Sequence, residues 1–511
     1  MNMASELLEH SFVPRVSIAR LPSCSYPAGP ESDNPISQAL HRVAVEMNWA
    51  DENGPFGKVI PRGARVLIKP NLVLHRNEGS GGTECLVTHP SLIRAAVEAA
   101  LRTAAAEVLV GDAPIQGCDF NILMQESGLQ AWAQEQTARD PRFKGIQDFR
   151  RTTCVLVRGV RVAAENLQPA DQFVLFNLGR ESLLEPVSNN GNRFRVAWYD
   201  PRLMAKTHHA GVHEYLVAKA VIDADVIINL PKLKTHKKAG ITCALKNLIG
   251  INGNKEYLPH HRVGGSAQGG DCYPGNGAVK SALEYVTDRQ NLSSSYASAT
   301  LWHLVFALLA RTSRLQGDRL GTDGSWHGND TIWRTCLDLN RILLYGHADS
   351  RASAGVMDAG TKSIGTMGVG TMKEEIQRRV IHIADAVIAG QGNGPLAPDP
   401  LELGFLLAGN NASAVDWVGA RLLAYEPEKI PLLRHAFDQF RWPITNFSSG
   451  AVRVTRDLGN GVPQSVIEPV RAAVTHPLGW RTASAQTSEA QSSNASATLV
   501  AEQASTSQWD A

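Results

Sequence analysis

Apolar residues along this chain follow two patterns. Short runs such as "ARVLIKPNLV", "AEVLVGDAP", "DADVIINLPK", "VIHIADAVIAG" and "GFLLAGN" are apolar on successive residues and rich in Val, Ile and Leu. That marks strands buried on both faces, as in a parallel sheet. Between them lie amphipathic stretches such as "HPSLIRAAVEAALRTAA" and "ASAVDWVGARLLAY", which read as helices. Their alternation predicts an α/β fold: a mostly parallel sheet, flanking helices and right-handed crossovers.

Three stretches break the rhythm. "LWHLVFALLA" from Leu301 reads as a buried helix, because its apolar run falls far short of the ~20 residues that span a bilayer. "SAGVMDAGTKSIGTMGVGT", residues 353–371, is rich in Gly and Thr and reads as a long mobile loop. From Arg481 the chain turns to Ser, Ala, Thr and Gln, too polar to offset chain entropy. The predicted organisation is an N-terminal segment over 1–58, an α/β domain over 59–480 with a helical and Gly-rich insertion at 291–375, and a disordered tail over 481–511. A cut after Gly479 is expected to leave stability unchanged.

Charge and cysteine usage narrow the function classes. The 511 residues carry 50 Lys+Arg and 49 Asp+Glu, a net charge of +1. Near-neutrality argues against general capture of nucleic acid, so any basic site is local. The seven cysteines are scattered with no CxxC pair, which supports neither an iron–sulfur cluster nor a structural zinc and fits reduced thiols in a cytoplasmic protein. The first residues lack the apolar core of a secretory signal.

Against that balance, "INLPKLKTHKKAGITCALKNLIGINGNK" (228–255) stands out, with six lysines and no carboxylate. It begins where a strand ends, and three strands end alike. Val66-Leu67-Ile68 is followed by Lys69, Pro70 and Asn71; Val108-Leu109-Val110 by Gly111, Asp112 and, after Ala113, Pro114; Val226-Ile227-Ile228 by Asn229, Leu230, Pro231 and Lys232. Ligands of open parallel sheets bind at this edge, so these groups are candidates for one crevice; ordinary turn residues at the rim are the alternative. "AGITCALKNLIG" reads as a short helix entered at Gly240, whose unpaired N–H groups, with Lys234, Lys246 and Asn247, would suit phosphate or carboxylate. A solvated lysine face is the bland alternative, though such a face is ordinarily interleaved with Glu.

Further candidates lie downstream. His261, Arg262 and Asp271 fall in a Gly-rich stretch, His327 and Asn329 precede an apolar helix, and Asp385 precedes "VIAGQGNGP", which contains Asn393. Asp330, Arg334 and Asp338 share a helical face, where a salt-bridge ladder is at least as good a reading as catalysis. His209 and His213 in "KTHHAGVHEY" have the spacing of two metal ligands on one helix, and surface histidines explain them equally well.

Together "IKPNLV", "VGDAP", "ADVIINLPKLKTHKKAGITCALKNLIGINGNK", "LPHHRVG", "GGDCYP", "WHGNDTIWRTCLDLNRIL", "GQGNGPL" and "LAGNNASAVDWVGARLL" resemble the domain of unknown function 362 family, over roughly residues 59–431. The family is often labelled as iron–sulfur-centre-containing. This chain lacks the ferredoxin-type cysteine runs of some members, so that label does not transfer. The resemblance implies a fold and a motif map, but no reaction.

Three functional readings follow. The first is an enzyme acting on an anionic small molecule, phosphorylated or carboxylated. Lys232, Lys234 and Lys246 would hold the anion, His236 would serve as general acid or base, and Asp112 and Asp385 would be catalytic or bind Mg²⁺ or another divalent ion. The second is a non-catalytic binding or accessory protein that partners a redox protein. The third is an isomerase or racemase with an organometallic cofactor.

Overall fold

The computed structural model describes residues 9–27, 34–157, 160–166, 168–188, 193–197, 199–315, 320–357, 363–457 and 473–481. Among them, ten strands form one sheet: β1 (Arg15–Arg20), β2 (Arg65–Pro70), β3 (Glu107–Asp112), β4 (Phe143–Asp148), β5 (Val226–Leu230), β6 (Lys232–His236), β7 (Gly240–Thr242), β8 (Arg379–Asn393), β9 (Ala397–Gly409) and β10 (Arg453–Asp457). The spatial order is β10-β1-β9-β8-β5-β2-β3-β4, with β6 parallel to β8 and β7 antiparallel to β6. The run from β8 through β5, β2 and β3 to β4 is parallel throughout; β9 pairs antiparallel with both β8 and β1. Arg15–Arg20 of the N-terminal segment thus form β1, inside the sheet.

The continuous apolar runs are explained by cover on both faces. Side chains alternate along a strand, so Val66 and Ile68 pack with helices α1 (Pro35–Glu46) and α2 (Pro90–Leu101), while Leu67 enters a different core cluster. Four further helices matter below: α3 (Ala244–Asn247), α4 (Tyr296–Leu315), α5 (Ile332–Tyr345) and α6 (Ala412–Leu422).

Three expectations need correction. Residues 353–371 are not simply a loop: Gly346–Met357 and Ser363–Met372 are paired strands of a second sheet, with 358–362 outside the described residues. Gly370 serves packing, since a Cβ there would fall 2.3 Å from the Phe176 ring. α4 is helical but not buried, with Leu301, Leu304 and Leu308 each more than 60% exposed. The reading of 240–251 as a helix from Gly240 also fails: Gly240–Thr242 is a strand, and α3 starts only at Ala244. The predicted tail lies outside the described residues beyond Arg481.

Candidate functional site

Parallel register sets the carboxyl ends of β5, β2 and β3 side by side, with Asn229 opposite Lys69 and Ile68 opposite Val110. Lys69 Nζ donates to Asp112 Oδ1 at 2.6 Å and to the Pro70 carbonyl at 2.9 Å, while Asp112 Oδ2 accepts from the Leu72 N–H at 2.6 Å. Burial lowers the pKa of Lys69 and raises that of Asp112, and each group's charge opposes the other's shift. Asn247 ties the strand ends together. Its Oδ1 accepts from Asn71 Nδ2 at 3.0 Å and from Lys69 at 3.3 Å, and its Nδ2 donates to Asn229 Oδ1 at 2.7 Å.

A cavity of about 290 Å³ borders this network, reached by Asn71, Asp112 and Asn247. β6 supplies its basic wall: alternation turns Lys234 and His236 toward the cavity and sends Leu233 into an apolar cluster. Lys234 Nζ donates to the carbonyls of Leu86 (2.6 Å) and Pro395 (3.1 Å) but meets no carboxylate among the described residues. Burial, reinforced by the Lys232 charge, brings its pKa down to about 7. Lys246, from α3, lines the same cavity and has no hydrogen-bond or ion-pair partner among the described residues; burial lowers its pKa. Thr242 also lines it, with a buried and unpartnered Oγ1.

The expected helix N-terminal anion site is absent from α3. Its first N–H groups are already taken, Ala244 by Asp416 Oδ1 at 2.5 Å and Leu245 by Oδ2 at 3.1 Å. Burial lifts the Asp416 pKa to about 7.

The remaining sequence candidates sit elsewhere. Lys232 and Asp385 form a fully buried pair at 2.7 Å. The Tyr26 hydroxyl donates to Asp385 Oδ1 at 2.6 Å and accepts from Lys232 at 2.8 Å, and the His89 N–H donates to Asp385 Oδ2 at 2.9 Å. His261 and Asn393 line an adjoining cavity of about 470 Å³, which shares Lys237, Asp323 and Ser325 with the first. Asp271 accepts from the Arg262 and Asp330 N–H groups and from Thr331 Oγ1, and Asn329 Oδ1 accepts from the Thr331 and Ile332 N–H groups. These groups secure the start of α5. His327 Nδ1 is bonded to the Gly479 carbonyl at 3.0 Å. His209 and His213 lie on two strands of a hairpin, and His213 faces His208 (Nδ1 to Nδ1, 3.3 Å).

The proposed divalent-ion ligands do not fit together. Asp112 and Asp385 belong to separate lysine pairs, and every carboxylate oxygen of both already accepts an N–H or O–H. No group of three or more His, Cys, Asp or Glu side chains suited to a metal occurs among the described residues.

Sequence reasoning missed one residue of the cavity, His260, and one of the buried Lys232–Asp385 cluster, Tyr26. His260, not His261, reaches the basic cavity, because consecutive residues of extended chain face opposite ways. The adjacent "HH" signalled a histidine but not which of the two. Tyr26 carries no local signal at all.

The chain is 23% identical over 380 residues to the thylakoid-associated protein sll1697 of Synechocystis, covering 74% of this chain and 69% of that protein. A solved structure of a Thermotoga maritima protein aligns with 77% of this chain at 12% identity and a TM-score of 0.30, and the chain spans 60% of that protein's length. The sequence profile described as "Domain of unknown function (DUF362)" matches residues 66–176 and 194–421, more than half of the chain, which therefore belongs to this family.

Proposed function

We propose that the chain is an enzyme that binds a phosphorylated or carboxylated small molecule in the cavity walled by Lys234, His236 and Lys246. One observation carries this reading: among the described residues Lys246 is an unpartnered ammonium, at a cavity where two carboxylates, Asp112 and Asp323, are engaged by other lysines. Asp112 is held by Lys69, and Asp323 lies 3.4 Å from Lys238. Glu78 remains, exposed at the rim. A solubility face would not be sunk into a cavity beside buried lysines. An anion would supply the missing countercharge and charge-assisted hydrogen bonds.

The test is calorimetric titration with inorganic phosphate and with pyruvate, in wild type and Lys246→Met. Loss of a charge-assisted hydrogen bond is worth ~1.5–3 kcal/mol, or roughly ten- to hundred-fold in affinity. Wild-type affinity should also fall with salt. Affinity unchanged in the variant, or no binding by wild type, ends the reading. Binding with no turnover of any carbonyl acid or phosphate ester would favour the accessory alternative.

No helix among the described residues is long and apolar enough to cross a membrane. We place the chain in the cytoplasm. Attachment to a membrane surface is a second reading, favoured by the exposed Leu301, Leu304 and Leu308 of α4, which contains no Asp or Glu, and by the thylakoid association in the Synechocystis relative's name. Cosedimentation with anionic lipid vesicles, lost in Leu304→Glu, would establish it; no cosedimentation would remove it.

A further inference from the structure

His236 and His260 line the same cavity, yet their hydrogen bonds assign them opposite tautomers. His236 Nδ1 accepts two backbone N–H groups from the turn between β6 and β7, those of Lys238 at 3.0 Å and Ala239 at 3.1 Å. A nitrogen that accepts two N–H groups carries no proton, so the ring proton of His236 sits on Nε2. His260 Nδ1 lies 2.7 Å from the Leu258 carbonyl oxygen. A carbonyl can only accept, so this Nδ1 bears the proton and Nε2 of the neutral ring keeps its lone pair. Neither Nε2 has a hydrogen-bond partner among the described residues.

We infer that the two histidines form a proton-transfer pair, with His260 Nε2 as the base and His236 Nε2–H as a fixed donor to the oxygen that gains charge. This rests on the anion-binding reading above and names its substrate class: a carboxylate or phosphate ester carrying a carbonyl with a C–H on the neighbouring carbon. Lys246 holds the anionic group. The C–H bond breaks and its proton passes to His260 Nε2, giving an imidazolium. The C–H electron pair becomes a C=C bond, and the carbonyl oxygen takes the negative charge and accepts the His236 Nε2–H. Return of the proton to the same carbon exchanges or epimerises it; where that carbon also bears a hydroxyl, the intermediate is an enediolate, and return of the proton to the former carbonyl carbon, after a proton shift between the two oxygens, isomerises the substrate.

The surroundings support this division. Burial, then Lys246, Lys234, Lys238 and His260, hold the pKa of His236 well below its ordinary value. Protonating its Nδ1 would also break two backbone hydrogen bonds. Burial, then Lys246, Lys238 and Lys255, likewise depress His260, while its bond to Leu258 opposes them. An anion that neutralises Lys246 relieves both rings, but only His260 can take a proton, at Nε2, without cost to its Nδ1 bond. The donor stays neutral throughout, as an electrophile must if it is to keep its proton for the developing oxyanion.

The tautomers are directly readable. Long-range ¹H–¹⁵N correlation on the ¹⁵N-labelled full chain at pH 7, assigned through His236→Gln and His260→Gln, should show His236 protonated at Nε2 and His260 at Nδ1. Reversed tautomers, or a His236 imidazolium, overturn the inference. Proton exchange is the second arm, with pyruvate and dihydroxyacetone phosphate as probes in D₂O. Wild type should incorporate deuterium next to the carbonyl of at least one. His260→Gln should lose roughly a hundredfold or more of that rate, the usual scale of general base catalysis, while keeping its phosphate affinity and melting temperature. No exchange with either probe, or exchange unchanged in His260→Gln, overturns the proposal. Phosphate binding separates the two failures: if wild type binds phosphate but either arm fails, only this inference falls, whereas no anion binding removes the reading beneath it.

Discussion

Lys69 Nζ lies 2.6 Å from Asp112 Oδ1 with both side chains withdrawn from solvent, and Gly250 packs so closely that a Cβ there would fall 2.1 Å from the same oxygen. Such a pair holds the ends of two strands together rather than waiting for a ligand. Lys69→Met should cost ~3–5 kcal/mol, because it leaves a buried carboxylate uncompensated. Lys69→Met with Asp112→Leu should recover part of that loss. Urea unfolding of both variants measures it, and a single-variant cost under ~1 kcal/mol would contradict the pairing.

Lys232 and Asp385 are predicted to matter for stability and not for ligand binding. Tyr26→Phe removes a hydroxyl that serves both, at a cost of ~1.5–3 kcal/mol. Phosphate affinity should match wild type in Tyr26→Phe. A matched drop in affinity would return this cluster to the site.

Asp416 and Lys234 should give the protein opposing pH dependences. The Asp416 pKa is raised from 3.8 to about 7, so between these values the native state binds more protons than the unfolded chain, and stability falls as pH rises. Lys234 is lowered from 10.5 to about 7, so above pH 7 the unfolded chain binds more protons, and stability rises with pH. Each slope can reach ~1.4 kcal/mol per pH unit. Chemical denaturation across pH 4–10 should show the acid-side slope flattened in Asp416→Asn and the alkaline-side slope flattened in Lys234→Met. Slopes identical to wild type would refute the assignments.

The cut after Gly479, read from sequence as harmless, should destabilise. Trp480 is 1% exposed, its ring lies over Gly240, and its Nε1 donates to the Lys237 carbonyl at 2.7 Å. Its loss should cost ~3–5 kcal/mol, whereas a chain ending at Arg481 should melt as wild type does. The difference between the two melting curves decides the matter.

Continuous Val, Ile and Leu runs determined by themselves that β2, β3 and β5 are buried on both faces, and the proline-stopped ends placed Lys69, Asp112 and Asn229 at one edge. Those properties are local: an apolar run has one low-energy environment, and proline ends a ladder wherever it stands. The acid-free run 228–255 likewise contained Lys234, His236 and Lys246, which line the cavity. Which lysines are spent on the fold was decided only in three dimensions. Lys232 and Lys234 are two residues apart with the same chemistry, but one meets Asp385, 153 residues away in sequence, and the other meets only carbonyls. The choice between His260 and His261 rests on which way a two-residue strand faces, set by its pairing with Arg195 and Phe194. Trp480 is the same case, an aromatic at the edge of a polar stretch whose burial depends on the space Gly240 leaves open. A side chain's partner is fixed by the packing of distant segments, and no spacing within one segment encodes it.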